Sequence, residues 1–170
     1  MVAGLGEVGI QNLPNEEAVL AVMRSSIQAP GFYFFPGMET SPGMTKEQKQ
    51  AAEKKWNEKF RVGPTGILIY HPGGEDFKFG KLLTIQFGIG AIAAFVVAWL
   101  LGLAAGGLPS FGARAMLVAL IAVFAAVVMD LPYWNWYGFP SNYTLVHMAG
   151  TVVCWGITGL AMAAVVKRPA

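Results

Sequence analysis

Three long apolar runs fill the second half of this chain and restrict it to very few folds. Leu82 to Gly107 carries no charge, and its only polar side chains are Thr84 and Gln86. A second run from Ala113 has one charge, Arg114, near its start, and Asp130 and Pro132 follow it. A third, Tyr143 to Val166, is closed by Lys167, Arg168 and Pro169. A bilayer crossing by a helix needs roughly 20 apolar residues. The runs are too long and too uniformly apolar for the alternating strands of a membrane barrel, which leaves helices as the spanning form.

Composition agrees. The chain has 170 residues, is 55% hydrophobic and only 13% charged, and has a mean hydropathy of +0.50. Soluble domains carry about 25% charged residues, and a soluble domain of this size needs charge to cover its surface. A single cysteine excludes an internal disulfide framework and a cysteine-rich zinc site. A net charge of +2 is too small for a nucleic-acid partner. The expected fold is an α-helical integral membrane protein. Three transmembrane helices, at about 82–107, 113–131 and 143–166, form a domain over 82–170. A small extramembrane α+β domain precedes them over 1–81.

Charge sits mostly in that first part, which holds nine of the 12 Lys and Arg and nine of the 10 Asp and Glu. Asn15 is placed to cap a helix over Glu16 to Gln28, stopped by Pro30 and Gly31. Phe32 to Phe35 reads as a strand, as does Ile67 to Tyr70, each closed by a Pro-Gly turn. Between them, Thr45 and Gln48 form a capping box at the head of a charged helix running to about Phe60. Trp56 and Phe60, four apart, give that helix one apolar edge. So small a core is weak alone, and the part is expected to rest on the membrane helices or on a partner.

Orientation follows from the short loops. With three crossings, Arg114 and the Lys167–Arg168 tail share one side, and the positive-inside rule makes that side cytoplasmic. The 130–143 loop has no Lys or Arg and falls on the other side, with the polar domain, which is then extracytoplasmic or periplasmic. Lys78 and Lys81 count against this orientation. Residues 1–14 lack the basic region and the apolar core of a secretory signal, so the first membrane helix or an upstream segment would have to drive translocation.

Few residues in the membrane half can carry chemistry. His147 lies near the start of the third run and could ligate a haem iron or a chlorophyll magnesium. A bis-histidine haem would need a second membrane histidine, which only a partner could supply. The plainer reading is an interfacial histidine bonded to a carbonyl or water. Asp130 is the only acid here, and an ionisable residue in a bilayer is a functional candidate. It also fits a loop-start carboxylate. The stretch from Asp130 to Tyr143, DLPYWNWYGFPSNY, is dense in aromatics. It suits an interfacial belt, or a platform on which Trp134 and Trp136 meet a flat cofactor or a partner. His71 follows the second strand, near Glu75 and Asp76, and reads as a surface histidine. Cys154 reads as inert packing. Gly88, Gly90, Ala91 and Ala94, with Gly156 and Gly159, allow close helix approach, either within the chain or to a partner subunit. No phosphate loop, zinc signature, nucleophile elbow or dinucleotide fingerprint occurs.

Three stretches, GFYFFPGM at 31–38, GPTGILIYHP at 63–72 and YWNWYGFP at 133–140, together resemble a family of small uncharacterised integral membrane proteins of acidobacteria and related soil bacteria. The resemblance covers most of the chain. It implies a membrane protein with a further apolar helix ending just before the stretch matching GLGE at 4–7, which would be four helices in all. It implies no activity, cofactor or catalytic residue.

The expected function is therefore a non-catalytic membrane subunit or scaffold of a larger membrane complex. An electron-transfer assembly, respiratory or photosynthetic, would bring His147 and the aromatics against a pigment, haem or quinone. A small transporter or channel subunit is the alternative, for which Thr84, Gln86, Thr151 and Thr158 are a thin polar supply. A membrane-surface enzyme is the third reading. It requires at least two of His71, Asp130 and His147 to converge within hydrogen-bond reach.

Overall fold

The structure is a computed structural model, and it describes residues 8–74 and 76–166. Three of its helices are long and apolar enough to cross a membrane. The chain divides into two compact units.

The first unit, Gln11–Gly74, is built on a two-stranded antiparallel sheet. Helix α1 spans Glu16–Ser26, β1 Gly31–Phe35, α2 Lys46–Val62 and β2 Gly66–Tyr70. The strands pair in full register from Gly31 with Tyr70 to Phe35 with Gly66. At the head of α2, the Gln48 amide donates to Thr45 Oγ1 at 3.3 Å and the Thr45 amide to Gln48 Oε1 at 2.9 Å. This reciprocal box satisfies two of the amides that a helix start leaves without partners. Asn15 stands at the start of α1, but in a left-handed conformation and with no capping bond from its side chain. The apolar edge of α2 is used as expected. The Trp56 ring lies 5.1 Å from that of Phe60 and donates its indole N–H to the Pro36 carbonyl at 2.8 Å. Glu39 bridges Lys55 and Lys59 on α2, and hydrogen bonding to those ammonium groups, Lys55 first, holds its carboxyl below the usual range.

The second unit holds the membrane helices: α3 (Phe79–Ala104, continued by a 3-10 turn to Gly107), α4 (Phe111–Tyr137) and α5 (Ser141–Val165). Residues 8–10 group with it. Ser110 starts α4 by accepting the Ala113 amide at 3.1 Å. The second helix therefore extends well beyond the expected 113–131, and the 130–143 segment is mostly helix rather than loop. Pro132 lies inside α4. Its ring removes one ladder hydrogen bond, a loss that membrane helices absorb where neighbouring groups support the backbone. Ring contacts hold the final turn: Tyr133 lies 5.8 Å from Tyr137 and 5.6 Å from Phe139. Termination falls to Gly138, at φ 69°, a left-handed conformation that glycine adopts without a Cβ penalty.

Helices α4 and α5 pair antiparallel along their lengths. The α4 residues facing α5 lie on one i, i+4 row: Arg114, Val118, Ala122 and Ala126 are buried, and Asp130 continues the row. On α5 the matching row contains His147, Gly159 and Ala163. Three rungs of the ladder are in contact. Arg114 meets Ala163, Val118 meets Gly159, and Asp130 meets His147. The three pairs keep one antiparallel register, each advance along α4 answered by an equal retreat along α5. A Cβ built on Gly159 would lie 2.9 Å from Val118 Cβ, so only glycine fits at this approach.

Candidate functional site

The two ends of the ladder are polar, and its middle is apolar. Arg114 and Asp130 are four steps apart, about 24 Å along a helix at 1.5 Å per residue. That is close to the hydrocarbon thickness, about 30 Å, so the two polar rungs sit near opposite membrane faces.

Arg114, one of the charges that set the expected orientation, is a buried residue of α4, 9% exposed. Its Nε donates to the Ala163 carbonyl at 3.2 Å and its Nη1 to the Leu108 carbonyl at 3.3 Å. Ala163 is in the last turn of α5, where carbonyls run out of helical amides and the helix dipole favours a cation. Arg114 thus ties the α3–α4 connection to the end of α5.

At the other end, His147 Nδ1 lies 2.7 Å from Asp130 Oδ1. Asp130 neither ends α4 nor caps a helix. Its side chain is only 14% exposed, whereas that of His147 is 57% exposed. An ionised carboxylate can only accept. In the neutral imidazole the proton is therefore on Nδ1 and the lone pair on Nε2. Among the described residues, Nε2 has no hydrogen-bond partner.

Aromatic rings surround the pair. Phe139 lies 5.7 Å from Tyr143, and Tyr143 stacks on His147 at 6.0 Å with the planes 16° apart. With Tyr133 these rings form a continuous line from the end of α4 to the histidine, spacings at which aromatic pairs attract. A cavity of about 210 Å³ opens among Asp130, Tyr133, Phe139, Tyr143, Thr144 and His147. A larger groove of about 450 Å³ runs from His147 past Gly150, Thr151 and Cys154 to Trp155, and is mainly apolar.

Trp134 and Trp136 do not join this cluster. Trp134 donates its indole N–H to Ser141 Oγ at 3.0 Å, pinning the α4–α5 turn. Trp136 is 76% exposed. Neither lines the cavities beside His147. His71 is exposed after β2 and belongs to the first unit. Glu75, Lys167 and Arg168 lie outside the described residues. Among the described residues no group of three or more metal-ligating side chains converges. Tyr143 is the residue the sequence did not single out for the site. Its spacing of four from His147 on one helix was the available signal.

No family model, curated protein or solved structure matches the chain.

Proposed function

We propose that this chain is a non-catalytic integral membrane subunit of a larger membrane assembly, and that the assembly carries electrons. The observation that carries the subunit reading is the position of α3. Only Val97 and Leu101, close to its C-terminal end, are buried. Among the described residues, most positions from Phe79 to Val96 are exposed, and Gly88 and Gly90 leave open space for a partner helix. In lipid, helices associate by close van der Waals packing at small residues, and Gly159 is where this chain does so internally. The alternative of a transporter or channel has little support. Thr84 and Thr158 bond back to the Gly80 and Cys154 carbonyls of their own helices, both at 2.9 Å. The positive-inside reading, with the Arg114 end cytoplasmic, and the resemblance to acidobacterial membrane proteins belong to the same proposal.

A photoreactive amino acid in place of Phe87, 79% exposed on α3, tests it in native membranes. The expected result is one discrete protein adduct. Adducts with lipid alone would overturn the subunit reading.

A second reading, a membrane-surface enzyme, is favoured by one observation: Asp130 and His147 do converge, which is its minimum requirement. Asp130 orients the imidazole, and His147 is the candidate base. An unchanged cellular phenotype in Asp130→Ala and His147→Ala strains would remove it.

A further inference from the structure

The Asp130–His147 pair has the form of a prepared metal ligand. Metal-bound histidines almost always donate their second ring N–H to a carboxylate or carbonyl, which fixes the ring and raises the basicity of the ligating nitrogen. Here Asp130 accepts at Nδ1, and Nε2 is left with its lone pair and no partner among the described residues. A free metal ion would need further ligands, and no such group converges. A metal already held by a planar macrocycle needs only one or two from the protein.

The surroundings of His147 suit such a macrocycle. The groove follows α5 away from His147, and its floor at the third and seventh following positions is Gly150 and Cys154, both small. A Cβ on Gly150 would meet nothing within 4 Å, and glycine is the residue that lets a ligand approach a helix backbone closely. Trp155 closes the far end and Ile10 a side. The volume, about 450 Å³, is within the range of ligand pockets, roughly 300–1,000 Å³. A macrocycle would be seated along one edge, with its rim open to lipid or to the nearby membrane surface. A proton relay would instead need a further acidic or basic group in reach of His147. Besides Asp130 and His147, the polar side chains that line the two cavities are Tyr143, Thr144, Thr151 and Cys154, with no further carboxylate, amine or imidazole among them.

We propose that His147 is the axial ligand of a metal tetrapyrrole bound against α5, with Asp130 as its positioning residue. The site is built from residues of one unit of this chain, so it does not rest on the subunit reading. A haem iron and a chlorophyll-type magnesium share the required chemistry, one imidazole on one metal. The chain in lipid nanodiscs, titrated separately with ferrous iron protoporphyrin IX and a magnesium chlorin, tests the proposal and distinguishes the sources. Saturation at one macrocycle per chain, with the absorption spectrum of an imidazole-ligated metal, is expected for at least one of them.

His147→Gly should abolish that spectrum and added imidazole should restore it, which also excludes a folding failure. Asp130→Asn should weaken binding about 10- to 100-fold. If the iron form binds, the same variant should lower the frequency of the iron–histidine stretch, which a purely structural role would not move. Binding that persists unchanged in His147→Gly, or only the spectrum of macrocycle dissolved in the lipid for both probes, would overturn the assignment.

Discussion

Arg114→Ala is expected to destabilise the α4–α5 hairpin by about 2–4 kcal/mol, the range for lost hydrogen bonds to a charged donor plus the carbonyls left behind. The guanidinium is buried and reaches two carbonyls on different elements, at Leu108 and Ala163. Its removal strands both. Arg114→Lys should recover less than half of the loss, because a single ammonium on a flexible stem does not reproduce the forked geometry. Unfolding in mixed micelles, followed by circular dichroism, measures both variants. A loss below about 0.5 kcal/mol, the usual scatter for surface changes, would show that Arg114 is only a charge at the membrane face.

The second large effect belongs to Gly159. Gly159→Leu should destabilise the pair by about 1–3 kcal/mol, as overpacking does. The obstacle is Val118, whose Cβ and Cγ1 would lie 2.9 and 3.0 Å from the new Cβ. Both atoms are close to the α4 backbone, so relief requires the helices to separate. Separation would act on the whole ladder, and the Asp130–His147 distance would lengthen with it. Val118→Ala should recover part of the loss in the double variant, the coupling expected of residues in contact. Gly88→Leu is the control. A Cβ there meets nothing within 4 Å, so the melt of the isolated chain should be unchanged.

Elements defined by local pattern were legible in the sequence. The Thr45–Gln48 box, the two strands and the three apolar helices each follow from residues within one turn or one run. The largest departure was at Pro132. Proline inside a helix is normally a stop, and the sequence pattern places the end of α4 there. The helix continues because Tyr133, Phe139 and the Trp134–Ser141 bond hold its last turn, and these contacts come from residues beyond the expected end. That error concealed the candidate site. With α4 ended at residue 131, Asp130 is a loop carboxylate. With α4 extended to Tyr137, it becomes the last rung of the row that begins at Arg114. The identity of its partner depends on the register of α4 against α5, which Gly159 and Val118 fix through a contact between distant parts of the chain. Trp134 and Trp136 are conspicuous in the sequence as aromatics. Their helical phase, set by the same continuation, directs one to the turn and leaves the other exposed.

The proposed role places this chain within a larger membrane assembly. Extraction from native membranes in mild detergent, followed by the mass of the intact particle and identification of its components, measures this directly. A stoichiometric complex with at least one other membrane protein is expected, dissociated when α3 carries Leu at Gly88 and Gly90. A particle containing this chain alone, as monomer or homo-oligomer, would contradict it.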